Sequence, residues 1–154
     1  MKSLTKIIEI SHWGNANVEE WYELEHDGAK LQGEFSRFDY RRAGKGPFVR
    51  SLTHVLPLDA HNIYYRDEIG NISTSAIASN EHALFLDLTP RFPLFGGWKT
   101  KFYMGYDLPL QHYLFNDVND AASFVLNISF AKDFTSDLVI DDLTVKVILP
   151  EGVK

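Results

Sequence analysis

The chain has 154 residues, a formal net charge of −6, no cysteine and an aromatic share of 14%. A length of 154 residues suits one domain, 1–154, able to bury a core without staples. The acidic balance argues against a nucleic-acid partner, and the missing cysteine excludes disulfides, thiol catalysis and Cys-ligated zinc.

Leu4 to Ile10 and Val18 to Glu25 are strand candidates, and Asp27-Gly28 marks a turn after them. Lys2, Lys6 and Glu9 break any apolar run at the start, so no signal peptide is expected there. No stretch reaches the roughly 20 apolar residues of a membrane span, so a soluble piece is expected. Arg37 to Lys45 is a short basic cluster interrupted by Asp39, expected to be a solvated turn that runs on through Gly46-Pro47. Val49 to Leu56 and the short Asn62 to Tyr65 are further strand candidates, closed by the turn signal Ile69-Gly70-Asn71.

Beyond that turn the period of two is plainer. Leu84, Leu86 and Leu88 face one way, and Phe102, Met104 and Tyr106 oppose Lys101, Tyr103 and Gly105. Pro109 to Phe115 could form one helical turn with Pro109 at its first position. Phe124, Leu126, Ile128 and Phe130 alternate with Ser123, Val125, Asn127 and Ser129, and Leu143, Val145, Val147 and Leu149 alternate with Thr144, Lys146 and Ile148. Each set predicts a strand with one core face. The expectation is an all-β, antiparallel β-sandwich of roughly eight strands with little helix, its ends on the first and last strands.

Chemistry is sparse. His12, His26, His54, His61, His82 and His112 fall in no metal-binding spacing. Asp137, Asp141 and Asp142 invite a glycoside-hydrolase or calcium reading, but match no EF-hand loop and suit a solvated turn before a strand. No nucleophile elbow, Walker loop or Rossmann fingerprint is present. No catalytic residue, metal or cofactor is therefore expected.

Two features carry specific chemistry. Asn71-Ile72-Ser73 and Asn127-Ile128-Ser129 match the N-glycosylation acceptor pattern. Asn71 lies in a polar turn that could carry a glycan, whereas Asn127 is placed on a strand and is an acceptor only if its face meets solvent. The segment Arg91-Phe92-Pro93-Leu94-Phe95-Gly96-Gly97-Trp98-Lys99 concentrates three aromatics, a Gly-Gly turn and two cations. Arg91, Phe92, Phe95, Trp98 and Lys99 could form an interaction loop. The competing reading is a hairpin loop whose aromatics plug the core, with Gly96 and Gly97 supplying positive φ. A carbohydrate-stacking platform of Trp98, Phe92, Phe95 or Tyr103 is the alternative function.

Tyr64-Tyr65-Arg66-Asp67-Glu68-Ile69-Gly70-Asn71-Ile72-Ser73 resembles a segment of the ribophorin I family. So do Arg91 to Thr100 with Gly105-Tyr106 and Leu108-Pro109, and Val139-Ile140-Asp141 through Ile148-Leu149-Pro150-Glu151-Gly152. Ser11-His12-Trp13-Gly14-Asn15 and Phe35-Ser36-Arg37-Phe38-Asp39-Tyr40 resemble two more blocks. The resemblance implies one luminal domain of a longer, membrane-anchored subunit of an oligosaccharyltransferase in the endoplasmic reticulum. It implies support of N-linked glycosylation through contacts with other subunits or nascent polypeptide, catalysis residing in another subunit. The family's own acceptor maps onto Asn71, and Asn127 has no counterpart in it.

Overall fold

Alternation at the start of the chain folds back on itself as a hairpin of β1 (Ser3–Ile10) and β2 (Asn15–Glu25). Gly14, at φ +88°, supplies the left-handed residue of the turn between them. Next in order come the helix α1 (Arg37–Ala43), β3 (Phe48–Val49), β4 (Leu52–Leu56), β5 (His61–Asp67), β6 (Gly70–Asn71) and β7 (Ala76–Ser79). They are followed by β8 (Leu84–Leu88), β9 (Leu94–Phe95), β10 (Lys99–Pro109), a 3-10 turn (Leu110–His112), β11 (Leu114–Asn116), β12 (Phe124–Leu126) and β13 (Asp142–Ile148). This computed structural model describes residues 1–43, 46–120, 122–130, 134 and 138–153. Gly44, Lys45 and Asp137, which the sequence assigns to turns, lie outside the described residues.

The main sheet has six strands in the order β13-β1-β2-β10-β5-β6, and β4-β8-β7 form a second sheet. The pairs β3-β9 and β11-β12 stand apart. Period two gives each long strand one buried row: Leu4, Ile8 and Ile10 in β1, Val18, Tyr22 and Leu24 in β2, Phe102, Met104, Tyr106 and Leu108 in β10. Leu52 and Leu56 of β4 and Leu86 and Leu88 of β8 belong to the same core. Contact between the sheets is direct, with the rings of Tyr22 and His54 6.5 Å apart, edge to face.

The all-β expectation holds, with differences that have physical causes. Short pairs raise the strand number to thirteen among the described residues. The main sheet is mixed, since β13 runs parallel to β1, from Ser3↔Asp142 to Glu9↔Ile148. Alternation fixes faces but not strand direction. Arg37–Ala43 is a helix rather than a turn. Ser36 Oγ accepts the Asp39 N–H at 3.2 Å at its start, and Arg41 and Arg42 suit the negative end of its dipole. Pro109 ends β10 instead of opening the helical turn, which starts at Leu110.

Two expected core rows are also corrected. Leu143, Val147 and Leu149 are exposed, and Val145 alone of that row is partly buried. β13 neighbours only β1 in the main sheet, and an edge strand reads as alternating without covering a core. Phe124 and Phe130 are exposed as well, and β12 stops at Leu126 because its partner β11 spans only three residues.

Candidate functional site

The acceptor triplet at Asn71 sits on a braced turn. Asp67, ending β5, accepts the Ile69 and Gly70 N–H groups at 3.0 and 3.1 Å, closing the reversal into β6. The Arg91 guanidinium clamps Asp67 through two nitrogens, with Nη2 at 2.9 Å from Oδ1, and also donates to the carbonyls of Gly70 and Asn71. That clamp, together with two backbone N–H groups, holds the Asp67 carboxyl below its ordinary value. Asn71 itself is exposed, its Oδ1 accepting from Arg66 Nε at 2.7 Å, while Ile72 is buried beneath it. Asn127 is exposed too, but lies one residue past β12 rather than on the strand, its N–H bonded to the Tyr113 carbonyl.

The loop 91–99 spends most of its chemistry internally. Phe95 is buried, with its ring 5.2 Å from both Trp98 and Phe48. Phe35 and Tyr40 complete this satellite cluster. Lys99 pairs with Glu25 at 3.4 Å. Phe92, 40% exposed, is the aromatic of the loop left most open. Of the two glycines, Gly97 has positive φ, +82°. Gly96 is required for a different reason: a Cβ there would stand 2.1 Å from the Ala29 carbonyl oxygen. Tyr103 does not join these rings, because it faces out from the opposite side of β10 and stacks on Trp21 at 4.3 Å.

Sequence reading missed a buried ionic centre. Lys6 Nζ lies 2.8 Å from Glu20 Oε1, and His54 Nε2 lies 2.9 Å from Glu20 Oε2, all three side chains fully buried. Tyr22 and Tyr106 hydroxyls also donate to this carboxylate. Burial alone would raise the Glu20 pKa, but hydrogen bonds and charge from His54 and Lys6 outweigh it and hold the group at about 2. The signal was present: each of the three falls on the apolar phase of its own strand. No group of three or more potential metal ligands occurs among the described residues. Asp141 and Asp142 are exposed, and Asp141 lies 3.6 Å from Lys2.

Two surfaces stand out besides. On the outer face of the main sheet, Trp21 is 46% exposed yet held in place. Its Nε1 donates to Glu19 Oε1 at 2.7 Å, and the other Glu19 oxygen accepts from the Tyr64 hydroxyl at 2.6 Å. Tyr64 lies over Gly105, where a Cβ would meet its ring. At the end of the sheet bearing the β1–β2 turn, an apolar groove of about 460 Å³ runs between Ile10, Leu110, Leu114, Phe124, Leu126 and Leu149. Trp13, 95% exposed, borders the adjoining hollow, and Val118, 99% exposed, tips the β11–β12 hairpin.

Known proteins resemble the whole of this chain. The family described as Ribophorin I matches residues 1–154. Subunit 1 of the dolichyl-diphosphooligosaccharide–protein glycosyltransferase of Caenorhabditis elegans is 48% identical over 152 residues, 97% of this chain and 25% of that protein. Subunit 1B of Oryza sativa subsp. japonica is 45% identical, covering 99% of the chain and 32% of that protein. Subunit 1A of Arabidopsis thaliana is 49% identical over 99% of the chain and 25% of its own length. The chain thus spans about a quarter to a third of these relatives.

Proposed function

Since the chain belongs to the ribophorin I family, we propose that it is a non-catalytic, luminal domain of an oligosaccharyltransferase subunit in the endoplasmic reticulum. It supports N-linked glycosylation by docking onto neighbouring subunits, with nascent polypeptide as a further contact. The relatives' names place them in a multi-subunit glycosyltransferase, which supports a partner subunit as the occupant of an open surface. Catalysis belongs elsewhere in such an assembly. No helix among the described residues is long and apolar enough to cross a membrane.

The observation that carries the docking role is the apolar end around the β1–β2 turn. Trp13, almost wholly in water, borders a hollow that shares Ile10, His12 and Leu149 with a groove lined mainly by aliphatic and aromatic side chains, and Val118 is equally exposed on the loop between β11 and β12, whose strands line that groove. A contiguous apolar surface of that kind signals an interface. Phe92 offers a second, smaller contact from the loop 91–99.

The test places Trp13→Ala and Val118→Ser together in the full-length subunit. The variant should leave the melt of the 154-residue chain unchanged and reduce co-migration with the partner subunits on native gels. Normal assembly would remove the docking role. Separately, the purified chain supplied with lipid-linked donor, divalent metal and acceptor peptide should transfer no oligosaccharide; transfer would overturn the non-catalytic reading.

A further inference from the structure

We propose that the outer face of the main sheet holds a neutral oligosaccharide against Trp21. This site is distinct from the docking end, and it shares Asp67, Glu68 and Lys101 with an adjoining hollow that reaches Phe92 and Lys99. It is a hollow of about 480 Å³ whose lining includes Ser3, Thr5, Trp21, Glu23, Glu68 and Lys101. That volume lies within the roughly 300–1,000 Å³ of ordinary small-molecule sites.

Its chemistry is selective. Thr5 sits directly across from Trp21 in the β1–β2 register, and Ser3 across from Glu23. Short hydroxyl side chains on β1 therefore leave the indole standing as a wall. One side of that wall is backed by Tyr103, nearly parallel to it at 13°. Glu19 fixes the indole edge, so the exposed ring is preorganised instead of free to rotate. A flat aromatic beside hydroxyls and carboxylates matches a sugar ring, which offers an apolar C–H face and a polar hydroxyl edge.

Charge and backbone exclude the competitors. The lining sets three carboxylates, Glu23, Asp67 and Glu68, against one cation, Lys101, which itself pairs with Glu23, so its charge disfavours a phosphate or an anionic lipid. An extended peptide is disfavoured for another reason. β1, β2 and β10 are each hydrogen-bonded on both sides within the sheet, so a peptide backbone laid over this face finds no ladder partner.

The experiment titrates the isotope-labelled 154-residue chain, followed by nuclear magnetic resonance, with three families of probe. They are the free neutral oligosaccharides chitobiose and mannotriose, a peptide bearing a neutral N-linked glycan, and the same peptide bare. Saturable shifts of the Trp21 indole N–H and of the Thr5 and Tyr103 amides are expected with sugar. Equal response to free and peptide-borne glycan identifies the sugar itself as ligand, and a stronger response to the glycopeptide identifies protein-attached glycan. Trp21→Ala should weaken binding by about tenfold or more. Thr5→Tyr, which keeps strand propensity while filling the hollow, should do the same with the core resonances unmoved. The proposal falls if no sugar shifts these signals at concentrations on the order of 10 mM. It falls equally if the bare peptide binds as well as the glycopeptide, or if both variants bind normally.

Discussion

Glu20 makes the fold acid-sensitive in a way that can be located. Its carboxyl ordinarily titrates at 4.5 and in the folded chain at about 2, so the native state holds the proton off. The stabilisation is complete above the unfolded value, and is lost as pH falls from there through about 2. Such a difference is worth about 3 kcal/mol. Urea melts taken down through this range should show the loss. In Glu20→Gln the same acid limb should flatten, at a cost of about 3–5 kcal/mol at neutral pH, since Lys6 and His54 would stay buried without their anion. Each of these three residues was legible as a polar side chain in an apolar phase. Their convergence was not, because it depends on β1–β2 register and on which strand of the second sheet covers them. The two acceptor asparagines are a different case. Both are exposed, so exposure does not rank them. The braced turn favours Asn71. Mass spectrometry of the parent protein from native cells should find Asn71 modified to the greater extent, and the reverse order would refute the ranking.

Among the elements, the loop 91–99 illustrates how one sequence segment can serve two readings until its neighbours are known. Its aromatics were visible in the sequence, but Phe35, Tyr40 and Phe48, which close around Phe95 and Trp98, come from 47 to 63 residues earlier. Trp98→Ala should therefore lower stability by about 3 kcal/mol, the low end for a large aromatic because Trp98 is only partly buried. A thermal melt measures this directly, and an unchanged melt would show that the cluster carries no packing. The long strands β1, β2 and β10 were readable because a buried row of apolar residues repeats through each. β9 and β11 were not, since two or three residues contain no period to detect. At β13 the alternation was real and its meaning differed. Position at the sheet's edge, rather than pattern, decides whether such a row is covered.

For the molecule as a whole, the pairing of β1 with β13 brings the two ends of the chain into one ladder. The amino group of Met1 donates to the Val139 carbonyl at 2.6 Å, and the Asp141 N–H bonds back to Met1. Seven residue pairs follow in parallel register. Parallel strands have their entry and exit at opposite ends of the ladder, so a pull on the first and last residues draws them lengthwise past one another. The bonds are then loaded together, in shear, instead of being opened one after another like a zip. Tension along a longer chain containing this piece would meet a mechanical clamp before it reached the core. Single-molecule stretching from the two termini should give one high rupture force. Pulling between Met1 and Glu25, the adjacent open ends of the antiparallel β1–β2 pair, opens that ladder pair by pair and should give a markedly lower one.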